Sequence, residues 1–220
     1  MALSMESEFW HNCWQQQRIG FHQQDIHPLL PIVFSQLNWQ PSGAIFAPLC
    51  GKSLDLWWLS QHSKVIGAEL SALACQQFYQ DQAQSFAVST QGQFQRFSHP
   101  AVDIWQGDYF DLKQEQLGDI GLIYDRAAFI ALPLQMRIDY VKQLKHLCPG
   151  PVSLLLLSLE YPQEEMSGPP FSVTECEVRQ LFGFAASVEL LAIRNLTGRP
   201  FAQRQFNVSH LIEKAFWIRW

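Results

Sequence analysis

The chain alternates short continuous apolar runs with longer stretches whose apolar residues recur every three or four positions. Seven runs read as strands: Ala44–Ala47, Lys64–Ala68, Val102–Trp105, Ile120–Tyr124, Val152–Leu159, Ser187–Arg194 and Ile212–Arg219. The longer stretches predict helices over Glu6–Gln17, Pro28–Leu37, Ser53–Ser60, Ala72–Gln82, Leu134–Leu147 and Thr174–Phe182. Consecutive apolar positions suit strands that helices cover on both faces. The alternation therefore predicts an α/β fold: a doubly wound, mostly parallel, seven-stranded sheet. Only the loop Asn195–Asn207 separates the last two strands, so they should close the sheet as an antiparallel hairpin at one edge. The glutamine-rich stretch Ser85–Pro100 carries no period. Tyr161–Phe171 holds Pro162, Gly168, Pro169 and Pro170 and must be a loop.

In such sheets ligands bind beyond the carboxyl ends of the strands. The first strand runs into Pro48-Leu49-Cys50-Gly51-Lys52-Ser53. Gly51 is free to take a positive φ and bring backbone near a ligand, and Ser53 is a fair helix N-cap. A phosphate-binding loop would need glycine where Phe46 stands, and a dinucleotide fingerprint would need three glycines rather than one. A single-glycine turn suits a nucleoside without phosphates. The second strand ends at Glu69, 18 residues after Gly51. That interval suits an acid accepting from ribose hydroxyls; the alternative is a carboxylate that caps the helix starting near Ser71.

The third strand ends at Gly107-Asp108-Tyr109. Asp108 could meet an exocyclic amine and Tyr109 an adenine face, or the segment is a plain turn. The fourth strand ends at Asp125-Arg126. There the arginine meets a carboxylate of the ligand or an anionic acceptor, or it forms a structural pair with an acid. Near the N-terminus Trp10 and Trp14 share a helix face, either as core or as a lid over the ligand. An aromatic lid beside a cationic group of the ligand would add about 0.5–2 kcal/mol of cation–π attraction. Residues 1–220 read as one domain, with 1–38 as that helical lid. Met5 offers a second start, which would make Met1–Ser4 an extension.

Composition narrows the partners. The chain has 220 residues, 48% hydrophobic, with a net charge of −5 and no Lys/Arg run. An acidic chain disfavours nucleic acid. The longest apolar stretch falls far short of the roughly 20 residues of a membrane span. The acidic, polar start is no signal peptide, which points to the cytoplasm. The five cysteines lack a CxxC, so they read as reduced thiols. The histidines lack zinc-ligand spacing, so no metal is expected.

At these strand ends the sequence resembles the thiopurine S-methyltransferase family, in its shorter bacterial form. The resemblance rests on Phe9-Trp10-His11-Asn12-Cys13-Trp14, Ile19-Gly20-Phe21-His22-Gln23, Pro48-Leu49-Cys50-Gly51-Lys52-Ser53, Val65-Ile66-Gly67-Ala68-Glu69-Leu70-Ser71, Asp125-Arg126-Ala127-Ala128 and Gly168-Pro169-Pro170-Phe171. These occur in the family's order across nearly the whole chain. Ala68 departs from the usual valine, and Ser85–Pro100 and Asn195–Asn207 match poorly.

The resemblance implies a class I, Rossmann-like methyltransferase that binds S-adenosyl-L-methionine and acts as a monomer. Trp14, Leu49, Glu69 and Arg126 would contact the methyl donor, with Asp108 and Tyr109 near its adenosine. Phe21 and the loop carrying Pro169 and Pro170 would flank the acceptor, and either Arg199 or Arg204 would reach it. The expected acceptor is the sulfur of an aromatic or heterocyclic thiol. Methylation of selenium or tellurium species, or a nicotinamide-dependent reductase, are the alternatives. His22 and Asp125 are the candidates for a general base.

Overall fold

Residue parity along the strands builds two cores on opposite faces of one sheet. In the computed structural model, which describes residues 2–37, 39–40 and 42–220, the strands are β1 (Ala44–Ala47), β2 (Val65–Glu69), β3 (Ala87–Gln91), β4 (Phe94–Ser98), β5 (Val102–Gln106), β6 (Ile120–Arg126), β7 (Ser153–Glu160), β8 (Ser187–Asn195), β9 (Pro200–Phe201), β10 (Arg204–Gln205) and β11 (Ile212–Arg219). The helices are α1 (Ala2–Gln15), α2 (Leu29–Gln36), α3 (Asp55–Leu59), α4 (Ala72–Gln80), α5 (Gln114–Leu117), α6 (Leu134–Leu147) and α7 (Glu175–Leu181). Met1 and Asn38, the first residue of the supposed extension and the last of the supposed lid, lie outside the described residues, as do Pro41 and the side chains of residues 2–6.

Ile45, Ala47, Leu122, Leu155, Leu157, Ala215 and Trp217 pack on one face with Leu30, Leu56 and Phe78 of α2, α3 and α4. Phe46, Ile123, Leu154, Leu156, Phe216 and Ile218 pack on the other with Tyr140, Leu144 and Val178 of α6 and α7. A side-chain period of two sends neighbours to opposite layers, so β7 needs four leucines in a row.

The large sheet runs β3-β4-β5-β2-β1-β6-β7-β11-β8. Strands β5, β2, β1, β6 and β7 are parallel, and β11 pairs antiparallel with both β7 and β8. The mostly parallel, doubly wound sheet with its antiparallel C-terminal pair is present. The strand count is corrected from seven to nine, because Ser85–Pro100 folds into the hairpin β3–β4 on the β5 edge. Every residue of β3 is exposed, so the strand carries no apolar alternation for a sequence reading to find. From β1 the chain winds outward through β2 to β5 and returns to β6 on the opposite flank of β1. That reversal opens a crevice at the carboxyl ends of β1 and β6. No helix among the described residues is long and apolar enough to cross a membrane.

Candidate active site

The crevice is floored by the turns after β1, β2, β5 and β6. After β1 the chain turns sharply, with Leu49 at φ +46° and Gly51 at φ +56°. Only glycine holds that conformation freely, so Leu49 stores about 1–2 kcal/mol of strain. The Gly51 amide donates to Glu69 Oε2 at 2.8 Å, and the Ser71 amide donates to Oε1 at 2.7 Å. Glu69 thus ties the first turn to the start of α4, where Ser71 is the cap. Burial pushes its carboxyl up to about 7, against the pull of the Ser71 and Gly51 amides. The neighbouring Cys50 thiol is pushed well up by burial and by Glu69, so it is no nucleophile.

Arg126, at the end of β6, reaches across to the first turn of α3. Its Nε donates to Asp55 Oδ2 at 3.0 Å, Nη2 to Ser53 Oγ at 2.5 Å, and Nη1 to the Phe21 carbonyl at 3.4 Å. The structural partner is therefore Asp55, 71 residues away, and not the adjacent Asp125. Ser53 Oγ also accepts the Asp55 amide at 3.3 Å, but α3 starts one residue later than expected, with Leu54 and not Ser53 at its N-cap.

Two expectations are corrected. Asp125 is not a base in the cleft. It is 1% exposed, and its oxygens accept from the Phe129 amide and the Tyr140 hydroxyl at 3.0 and 2.6 Å. Burial raises its carboxyl to about 6 while Tyr140 holds it down. Nor does Tyr109 offer a ring face to a ligand. Its ring is 2% exposed and stacked on Tyr140 at 4.9 Å, with its hydroxyl donating to the Tyr140 carbonyl. Tyr109 still borders the cleft, beside Asp108, whose Oδ1 takes the Phe110 amide at 2.9 Å.

The N-terminal segment roofs the floor. Trp14 lies over the first turn, where a Cβ added to Gly51 would come within 3.2 Å of its ring. Trp10 and Trp14 both meet Phe21 edge-on at 5.6 Å. Trp14 is 4% exposed in protein contacts alone, so it does not need a ligand to complete its burial. The small sheet of β9 and β10 closes the side. Arg204 Nη1 donates to the Pro169 carbonyl at 3.0 Å, and the Gln203 amide donates to the Gly20 carbonyl at 3.2 Å. Of the two candidate arginines of this loop, Arg204 borders the cleft and Arg199 does not.

One cleft thus gathers Trp14, Leu49, Gly51, Glu69, Asp108, Tyr109 and Arg126 with Phe21, His22, Pro169, Pro170 and Arg204; of the expected residues Asp125 and Arg199 stay outside. Burial, Lys52 and Arg126 lower the His22 pKa, so its ring is neutral near pH 7. Sequence reasoning missed Phe201 and Phe206 on the side wall and Ile130, Leu132 and Met136 beyond β6. Their apolarity marks core as readily as a cleft. No local signal sets them apart.

The family model for thiopurine S-methyltransferase matches residues 5–219. A thiopurine S-methyltransferase of Methylococcus capsulatus is 41% identical over 218 residues, 98% of either chain. One from Marinobacter nauticus is 40% identical over 203 residues, 91% of this chain and 93% of that one. Among solved structures, a SAM-dependent methyltransferase from Anabaena variabilis superposes with a TM-score of 0.63 at 16% identity, over 97% of this chain and 93% of that one. A Burkholderia thailandensis 1,6-didemethyltoxoflavin-N1-methyltransferase, solved with bound 1,6-didemethyltoxoflavin and S-adenosylhomocysteine, gives a TM-score of 0.62 at 12% identity, over 99% of this chain and 88% of that one. At these identities the likeness is one of fold.

Proposed function

Since the chain belongs to the thiopurine S-methyltransferase family, and so is an enzyme that uses S-adenosylmethionine, we propose that it methylates the sulfur of aromatic or heterocyclic thiols. The observation that carries this reading is the cleft's mixed lining. Phe21, Pro169, Phe201 and Phe206 give it flat apolar surface, and Arg18, Lys52 and Arg204 give it positive charge. A planar ring bearing an anionic sulfur matches both. A neutral alkyl alcohol or amine matches neither.

The residues present fit the methyl donor. The Glu69 carboxylate keeps lone pairs beyond its two backbone bonds for ribose hydroxyls. Asp108 has a second oxygen for an adenine amine. Arg126 keeps donor capacity on its Nη side for the methionine carboxylate, and Trp14 and Leu49 flank the donor. When bound, S-adenosylmethionine supplies a methyl already activated by its sulfonium. The protein's task is then alignment and exclusion of water. Orientation of two reactants contributes about 7–11 kcal/mol. The wall of Trp14, Phe21 and Arg204 keeps solvent out; of the expected lid 1–38, the part from Ser7 to His22 roofs the cleft, while α2 packs in the core. A thiol with a pKa near neutrality arrives ionised, so His22 need not remove its proton.

The test is a rate series over aromatic thiols of graded pKa, with matched phenols and anilines. Rates should follow the thiolate fraction below each thiol's pKa and level off above it. Equal turnover of the phenols or anilines would overturn the reading.

A further inference from the structure

We propose that Asp55, seconded by Ser53, is the positioning residue that fixes how Arg126 presents its guanidinium to the carboxylate of the methyl donor. This rests on Arg126 as that carboxylate's partner. A guanidinium has five N–H groups. Three are engaged: Nε by Asp55, one on Nη2 by Ser53 and one on Nη1 by Phe21. The edge formed by Nε and Nη2 is therefore gripped by the first turn of α3. The Tyr124 hydroxyl, itself bonded to Asp55, also interacts with the guanidinium, so the remaining donor capacity lies on the Nη1 side, on a side chain only 7% exposed that borders the cleft. A planar fork whose remaining donors are nearly dry wants an anionic acceptor, and a carboxylate matches its geometry.

Asp55 is built to hold that fork. It is 0% exposed, and besides Arg126 it accepts from the His27 amide at 2.7 Å and the Tyr124 hydroxyl at 2.9 Å. Burial alone would raise its carboxyl, but Arg126 and the His27 amide hold it below its usual value, so it stays ionised. Position in the chain adds a second consequence. Gly51, which donates to Glu69, and Ser53 and Asp55, which grip Arg126, lie within five consecutive residues. One short turn thereby sets both ends of the donor site, the ribose end and the carboxylate end.

The test compares two ligands on folded protein by calorimetry: S-adenosylhomocysteine, and 5′-methylthioadenosine, which keeps the adenosine and sulfur but has no carboxylate. Asp55→Asn should weaken S-adenosylhomocysteine about tenfold and methylthioadenosine less than about twofold. Ser53→Ala leaves the buried charges paired, and it should show the same selectivity with a loss of about threefold. Arg126→Gln checks the underlying reading and should be at least as selective as Asp55→Asn. If Arg126→Gln is selective while the Asp55 and Ser53 variants weaken both ligands alike, or neither, the positioning role is overturned and the reading of Arg126 stands. If Arg126→Gln shows no selectivity, the reading of Arg126 falls and the proposal with it. Should Asp55→Asn fail to fold, Ser53→Ala decides.

Discussion

Glu69 should make donor binding depend on pH across neutrality. Burial pushes its carboxyl up to about 7. Each of its oxygens already accepts a backbone N–H, and ribose hydroxyls would donate to the same two atoms. A protonated carboxyl turns one oxygen into a donor and loses that capacity. Binding therefore favours the ionised form, and affinity rises with pH. With a free-enzyme pKa near 7, the ionised fraction is about one in eleven at pH 6 and about nine in ten at pH 8. The dissociation constant of S-adenosylhomocysteine should thus fall about tenfold over that interval, or about 1.4 kcal/mol.

The same shift sets the sign for folding. A folded pKa above the ordinary 4.5 favours the fold below pH 4.5, and that advantage is lost as pH climbs through 7. Ionised Glu69 therefore costs the ligand-free protein about 3 kcal/mol at pH 8, which the ribose hydroxyls offset on binding. Glu69→Gln should bind about tenfold or more weakly at pH 8 and show a flat profile. His22 also faces the cleft, and its pKa is lowered from 6.5, so a His22→Gln control separates the two titrations. Isothermal titration at pH 6, 7 and 8 is the assay. A flat wild-type profile, or a slope that survives in Glu69→Gln, would refute the reasoning.

Three further outcomes follow from the site and its support. Arg204→Ala should raise KM for an aromatic thiol about tenfold and leave KM for S-adenosylmethionine within about twofold, while Arg199→Ala changes neither; steady-state kinetics of the pair decides. Tyr140→Phe removes a donor from buried Asp125 and should cost about 1–3 kcal/mol in urea unfolding. The loss should be larger at pH 8, where the carboxylate is ionised, than at pH 5, below its folded value of about 6. Gly51→Ala forces a side chain to φ +56° and a methyl to 3.2 Å from Trp14, so thermal unfolding should show a loss of about 1–2 kcal/mol, and S-adenosylhomocysteine should bind several-fold more weakly.

What the sequence made legible was whatever burial imposed on consecutive residues. Ile212–Arg219 and Leu134–Leu147 were placed to the residue because a strand covered on both faces and an amphipathic helix each leave a period. The hairpin β3–β4 left none, since β3 is exposed throughout. Strand-end logic brought Gly51, Glu69, Asp108 and Arg126 to one crevice because that crevice is a product of sheet topology alone. Tertiary partners were not legible. Nothing near Arg126 in the chain announces Asp55, and nothing in Asn195–Asn207 announces that Arg204 meets Pro169 and leaves Arg199 aside. Tyr109 shows the limit from the other direction: it has the right residue type at the right strand end, yet its ring stacks into the core on Tyr140.

The place of β11 constrains the order in which the molecule can assemble. It lies between β7 and β8, pairing Arg219 with Ser153 on one side and with Ser187 on the other. A nascent chain that has emerged only through β8 therefore carries two unsatisfied sheet edges, that of β7 and that of β8, and neither can pair until residues 212–219 arrive. These are long-range pairings, which form slowly, and the waiting β7 edge presents Leu154–Leu157. Strand β11 acts as a keystone: a chain stalled or cleaved before residue 212 loses the seating of β8 along with β11, and exposes a leucine-rich strand to its neighbours on the polysome.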